Sequence, residues 1–152
     1  MKTLLLTLIA LFIFAGCSVG NKNLSFQEEN KLRVTFNCIV PFDDVRKVRT
    51  YEDKNIVKEV YYVEFNNIYE SYFELTHKQI PNMNISLNDY VDFLTDEGIE
   101  IQSQKKVDSI LYISFNKREK QFNQIISTSW NSLKIANAEP LMFEAIKTHC
   151  SK

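Results

Sequence analysis

The side chains best suited to acid–base chemistry at neutral pH are two histidines, His77 and His149. Neither has a second histidine, a cysteine or a carboxylate at the spacing that zinc sites use, so the sequence predicts no metal site. His149 directly precedes Cys150, which raises the question of a histidine-activated thiol. Neighbouring residues of a helix point about 100° apart. We therefore interpret His149 as a neighbour of a structural cysteine.

Acidic pairs are the other candidates for catalysis or metal binding, and they occur at Glu28-Glu29, Asp43-Asp44 and Asp96-Glu97. Calcium loops need oxygen ligands spaced around a turn, and no pair has that spacing. Helix caps and solvated faces explain all three. Neither Gly20 nor Gly98 lies in a phosphate-binding loop or a nucleophile elbow. We therefore expect no cofactor and no catalytic residue, which favours a non-enzymatic protein and leaves an enzyme as the alternative.

The chain begins with a leader in which Lys2 is followed by an apolar stretch, Leu4 to Phe14, and then by Ala15-Gly16 before Cys17. A bilayer core needs roughly 20 apolar residues, so this shorter stretch predicts a removable signal peptide over residues 1–16. The segment Phe14-Ala15-Gly16-Cys17 resembles the lipobox of bacterial lipoproteins. That resemblance implies cleavage before Cys17 and a diacylglyceryl group on its sulfur. An ordinary secretory peptide is the alternative.

The same resemblance implies a location and a domain layout. Ser18 occupies the position where lipoproteins retained in the inner membrane tend to carry Asp. We therefore expect a lipid anchor in the outer membrane, facing the periplasm, if the cell has two membranes. Residues 17–31 are mostly polar and predict a lipidated tether. A single domain is expected over residues 32–152.

Two further cysteines, Cys38 and Cys150, remain in the predicted domain. An exported domain meets an oxidising compartment, where a pair of thiols usually forms a disulfide. We therefore predict a Cys38–Cys150 bridge between the first strand and the last helix. Two free buried thiols are the alternative.

Charge and composition exclude several classes of protein. Removing residues 1–16, which hold one lysine and no acidic residue, takes the formal net charge from −1 to about −2. A chain without a basic surplus is poorly suited to neutralising phosphates, so nucleic acid is not an expected partner. Its 45% hydrophobic and 12% aromatic content is typical of a folded globular domain.

Hydrophobic periodicity predicts the first half of the domain. Alternating apolar residues predict a strand over 32–40, and Pro41 ends it. The spacing of Phe42, Val45 and Val48 predicts a short helix or turn. Residues 56–76 predict a hairpin of two strands. The apolar residues of both strands occupy odd-numbered positions, so they share one face only if the loop has an odd number of residues, such as 66–68.

The second half predicts helices and strands in alternation. Ser86 and Asp89 predict a helix that ends at Gly98. Strands follow from Ile99 and over 110–115, and two further helices are predicted over 116–133 and from Pro140. The predicted order is β, short α, β, β, α, β, β, α, α. It indicates an α+β fold with a mainly antiparallel sheet and its helices packed on one face.

The candidate binding residues are tyrosines whose positions lie outside the predicted apolar faces. Tyr62 and Tyr72 lie on the predicted outer face of the hairpin, together with Glu64 and Glu70. Exposed tyrosines are enriched in protein interfaces because they provide large contact area at low entropic cost. Cross-strand packing is the alternative explanation.

The expected function is therefore a lipid-anchored cell-envelope protein that acts as a non-enzymatic binding or accessory module, in assembly, immunity or scaffolding. Its expected partners are the membrane and a protein. Two alternatives remain: an envelope hydrolase that uses dispersed carboxylates and His77, and a purely structural lipoprotein.

Overall fold

From Phe42 onward the chain forms two successive groups of three strands and a helix. The computed structural model describes residues 35–67 and 69–152. The elements in this part are β1 (Phe42–Asp53), β2 (Ile56–Phe65), β3 (Tyr69–Asn84), α1 (Leu87–Asp96), β4 (Glu100–Val107), β5 (Ile110–Lys117), β6 (Lys120–Asn137) and α2 (Pro140–Cys150).

The six strands of this part form one antiparallel sheet in the order β1-β2-β3-β6-β5-β4. Each group of three strands therefore occupies one half of the sheet, and the long strands β3 and β6 join the halves. The predicted mainly antiparallel sheet is confirmed. The α+β label needs adjustment, because the described part is largely sheet.

The prediction that the helices pack on one face is not confirmed. Ile125 and Ile126 are adjacent in β6 and both are fully buried, each in a different hydrophobic cluster. Neighbouring residues of a strand point to opposite faces. Helix α2 contributes Met142 and Ile146 to the cluster of Ile125, whereas α1 contributes Leu94 to the cluster of Ile126. The two helices therefore cover opposite faces of the sheet.

The β2–β3 hairpin matches its prediction in loop length and in the faces that it presents. Phe65 pairs with Tyr69, which leaves the predicted three-residue connection over 66–68. Tyr61 and Phe73 are paired and buried, and their rings stack with centroids 5.1 Å apart. The intervening residues consequently point to the opposite face.

The two ends of α1 and the start of α2 also follow their predictions. The Ser86 hydroxyl accepts from the Asp89 backbone N–H at 3.2 Å, and the Asp89 carboxylate accepts from the Ser86 backbone N–H at 2.7 Å. Gly98 adopts a φ of +71°, which a residue with a side chain rarely adopts. Pro140 occupies the first turn of α2.

The predicted strand over 32–40 is wrong in the part that the structure describes. Thr35 and Phe36 are helical, and Asn37 has a positive φ of 58°. Phe36 is buried, and its carbonyl accepts a hydrogen bond of 3.1 Å from the Tyr112 hydroxyl. Residues 32–34 lie outside the described part. The apolar alternation from Phe36 to Val40 thus reflects packing of an irregular segment onto the sheet.

The predicted short helix after Pro41 is also wrong, because residues 42–53 form strand β1. Its register with β2 shifts between Phe42 and Asp44 and again between Lys47 and Arg49. A bulge adds one residue to a strand and breaks the two-residue period. The bulges therefore gave Phe42, Val45 and Val48 a spacing that resembles a helix.

The predicted helix over 116–133 is wrong, because these residues form the end of β5, a turn and most of strand β6. Lys117 pairs with Lys120, and Arg118 and Glu119 between them have φ values of 50° and 63°, as in a tight hairpin turn. The strand is buried on both faces over 123–127, which removes the alternation that marks a half-buried strand. Trp130, predicted to point inward, is 68% exposed.

The structure places Cys38 and Cys150 at disulfide-bonding distance, with their Cα atoms 5.6 Å apart, as predicted. Cys38 follows the helical residues at the start of the described part, and Cys150 is the last residue of α2. The pair joins the segment before the sheet to the helix after it.

We predict that Cys150→Ser, or reduction of the wild-type protein, lowers the free energy of unfolding by about 4–5 kcal/mol. This value follows from the entropy of a closed loop with a sequence separation of 112 residues. Guanidinium titrations with and without a reductant measure the change, and Cys17→Ser serves as the control. Equal denaturation midpoints in the two conditions would contradict the bridge.

Candidate functional site

The candidate site lies on the face of β1–β3 that α2 does not cover. The register aligns Arg46 of β1 with Tyr62 of β2, and Tyr62 with Tyr72 of β3. Residues two positions apart on each strand share this face. We call it the tyrosine face and define it by Asp44, Arg46, Val60, Tyr62, Glu64, Glu70, Tyr72 and Glu74. It includes all four residues proposed from the sequence.

Tyr62 is held at the centre of the tyrosine face by contacts on three sides. The Arg46 guanidinium lies 4.4 Å from the centre of its ring. The Tyr72 ring packs edge-on against it with centroids 5.6 Å apart. The Tyr62 hydroxyl donates a hydrogen bond of 2.9 Å to Glu70. Tyr72 itself is 58% exposed, so it offers its ring to solvent on a fixed support.

A row of three carboxylates crosses one end of the tyrosine face. Asp44 pairs with Glu64 in the register, and Glu64 pairs with Glu70. Like charges directly opposite each other destabilise a sheet. Arg46 offsets the charge of Asp44 through an ion pair of 2.9 Å. The hydrogen bond to Glu70 and nearby negative charge raise the pKa of Tyr62 above its ordinary value.

Glu64 is the uncompensated member of the row. It is half-buried, and its carboxylate forms no ion pair or hydrogen bond with a side chain in the described ranges. An additional cation near Glu64 would relieve the repulsion among the three carboxylates. The row therefore favours a positively charged group above this end of the face.

A groove of about 440 Å³ adjoins Tyr72 at the other end of the tyrosine face. Val60, Tyr72 and Glu74 line it from the tyrosine face, and Phe122 and Pro140 are among its other lining residues. Strand β6 bends so strongly that the N–H of Ala138 donates to the carbonyl of Asn123 at 3.0 Å. This contact brings the two ends of β6 together beside the groove, which Asn123 and Ala138 also line.

Sequence reasoning missed Arg46 and the groove. Arg46 was overlooked because the bulges of β1 hid its alternation, although a cation next to an acidic hairpin was a usable signal. The groove depends on Phe122 and on the residues before Pro140, which are brought together by the bend in β6. The alternation of apolar and polar residues along a strand does not report where the strand bends, so the sequence pattern could not reveal this groove.

The histidines do not form a joint site. His77 Nε2 lies 2.8 Å from the Ser132 hydroxyl oxygen, a contact between the neighbouring strands β3 and β6. His149 Nε2 lies 3.2 Å from the Ile39 carbonyl oxygen, and its ring packs edge-on against Phe65. Phe65 is at one end of β2, whereas Val57, the register partner of His77, is near the other end.

The acidic pairs occupy structural positions where they are described. Asp43 accepts a hydrogen bond of 2.8 Å from the backbone N–H of Asn67, and Asp44 pairs with Arg46. Asp96-Glu97 forms the end of α1. Glu28-Glu29 lies outside the described residues, as does Cys17.

Within residues 35–67 and 69–152, no group of three or more His, Cys, Asp or Glu side chains is arranged to hold a metal ion. No helix in this part of the chain is both long enough and apolar enough to cross a bilayer. Comparisons with protein-family models, with curated proteins and with solved structures return no match. The candidate site therefore rests on its own geometry.

We predict that Tyr72→Ala changes the free energy of unfolding by less than about 1 kcal/mol, because Tyr72 is largely exposed. Tyr62→Ala should cost about 1–2 kcal/mol, because Tyr62 is half-buried and its side chain makes three contacts. Tyr61→Ala is the matched control on the opposite face. Tyr61 is 0% exposed, so its truncation should cost about 3–5 kcal/mol. Urea unfolding followed by circular dichroism measures all three. A large loss for Tyr72→Ala would mean that this ring supports the fold.

Proposed function

We propose that the chain is a lipid-anchored protein of the bacterial cell envelope that binds a protein partner through the tyrosine face. The lipobox-like segment that ends at Cys17 supports the lipid anchor. Ser18, the residue after it, favours the periplasmic side of an outer membrane. Several acyl chains hold a protein firmly at a bilayer. The anchor concentrates the domain at the membrane, and the tyrosine face does the binding.

The observation that carries the binding role is the exposed Tyr72 ring supported by Tyr62. Tyr62 is fixed between Arg46 and Glu70, and the Tyr72 ring packs against it. Tyr72 therefore loses less conformational entropy when a partner binds. Rigid, exposed aromatic side chains supply most of the energy in many protein interfaces. The adjoining groove gives a partner side chain a place to enter beside Tyr72.

The charges of the tyrosine face indicate what the partner presents. Glu64 and its two neighbouring carboxylates favour a Lys or Arg of the partner at one end. The groove beside Val60 and Phe122 favours an apolar side chain at the other end. A protein surface with a basic residue and an apolar residue separated by the tyrosine pair meets both requirements.

The two alternative functions have less support. A hydrolase that uses His77 requires that residue to border a cleft, and His77 instead contacts Ser132 and lines neither end of the tyrosine face. A purely structural lipoprotein would have no need for an exposed tyrosine on a fixed support. It differs from our proposal in having no specific partner.

We predict that the wild-type chain, crosslinked in its native cells and purified from detergent extracts, retains a defined partner. Tyr72→Ala should reduce the recovered partner by about tenfold or more, which corresponds to about 1.4 kcal/mol of binding energy. Quantitative mass spectrometry of the crosslinked material measures the recovery. Phe93→Ala is the control, because Phe93 is similarly exposed but lies on α1.

Two results, from separate experiments, would contradict the proposal. Recovery that is equal for Tyr72→Ala and the wild type would exclude the tyrosine face as the binding surface. The anchor is judged separately with Cys17→Ala. This variant should move the chain from the membrane fraction to the soluble fraction, and its retention in the membrane fraction would contradict lipidation.

A further inference from the structure

Strand β4 forms one outer edge of the sheet, because it is the last strand in the order β1-β2-β3-β6-β5-β4. An edge strand presents a row of backbone N–H and C=O groups that can pair with another extended chain. The opposite edge, β1, has register shifts at two places, whereas β4 has a single shift between Ile101 and Ser103. The segment from Ser103 to Val107 is therefore a regular edge.

The hairpin that follows β4 fixes which backbone groups point outward. Val107 pairs with Ile110 across a two-residue turn, so this pair exchanges both of its hydrogen bonds. Such pairs alternate along an antiparallel ladder with pairs whose backbone groups face away. The N–H and C=O groups of Gln104 and Lys106 consequently point away from β5, toward the open edge.

The side chains of Gln104 and Lys106 line a groove between this edge and helix α1. The groove has a volume of about 420 Å³, within the range of known ligand-binding sites. Its apolar floor consists of Leu87, Val91 and Leu111. The open backbone edge and the apolar groove therefore lie side by side.

The rims of this groove carry opposite charges. Lys106 stands on the strand side and Asp92 on the helix side, and both are exposed. Neither forms an ion pair with another residue in the described part of the chain. An occupant with an acidic side chain toward the strand and a basic side chain toward the helix complements both rims.

We propose that the β4–α1 groove is a second binding site, which takes an extended peptide segment of a protein. The peptide adds a strand beside β4 through the outward backbone groups of Gln104 and Lys106. Its alternate side chains enter the apolar floor, since successive side chains of a strand point to opposite sides. An extended backbone is the one ligand class that uses both the hydrogen-bonding edge and the floor. This site is separate from the tyrosine face and does not depend on it.

The test uses the purified protein and a displayed library of random peptides of about nine residues, longer than the regular edge of β4. Selected peptides should share apolar residues at alternate positions. Gln104→Pro removes the outward N–H without removing a bond to β5, so it should weaken binding of a selected peptide by about tenfold or more. Gln104→Ala keeps the N–H and should stay within about threefold of the wild type.

Amide hydrogen exchange of the wild-type protein provides a readout that does not depend on the folding of a variant. Bound peptide should slow exchange at Gln104 and Lys106 and leave the tyrosine face unchanged. No enriched peptide, or binding that Gln104→Pro leaves intact, would overturn the proposal. A dimer that protects the same two amides without peptide would overturn it as well, since the edge would then bind a second copy of the chain.

Discussion

The fold depends on the double pairing of strand β6. Residues 120–127 of β6 pair with β5, and residues 132–137 pair with β3, so this strand joins the two halves of the sheet. Its central residues are buried on both sides, and the adjacent Ile125 and Ile126 enter different cores. A strand buried on both faces needs a cover on each, and α1 and α2 provide one each. The bend that lets β6 serve both partners occurs next to Asn131, whose φ is 58°.

This arrangement explains why two surfaces remain open. On one face, helix α2 packs with residues of both halves of the sheet, such as Phe73 and Tyr112. On the other face, helix α1 packs with residues of β5 and β6, such as Ile113 and Ile126. The β1–β3 half therefore keeps that second face uncovered, and the tyrosine face is that surface. At the far edge, α1 lies beside β4 and forms a groove along an edge strand. Polar contacts hold the shape: the Tyr90 hydroxyl donates to Gln124 at 2.6 Å, and the Gln124 amide donates to Asn137 at 2.8 Å. These two hydrogen bonds link α1 to both ends of β6.

Local signals in the sequence were sufficient for the β2–β3 hairpin, for the ends of α1 and for the start of α2. In each case a short-range rule decides the structure: side-chain parity at residues 66–68, a capping pair at Ser86, and a proline at residue 140. The alternation of side chains between the two faces of the hairpin also predicted that Tyr62, Glu64, Glu70 and Tyr72 share one face. Strand β1 was misassigned because its bulges break the alternation, and β6 because burial on both faces removes it. The placement of the helices on opposite faces depends on contacts distant in sequence, and no local pattern reports it.

The proposed binding role requires the tyrosine face to be open in solution while the tyrosines of the opposite face are covered. Hydroxyl-radical footprinting of the full-length protein, read by mass spectrometry at each tyrosine, measures this difference. We expect fast oxidation at Tyr72, intermediate oxidation at Tyr62, and protection at Tyr61 and Tyr112, which are 0% and 1% exposed. Protection of Tyr72 as strong as that of Tyr61 in the isolated protein would show that this face is covered and would exclude it as a free binding surface.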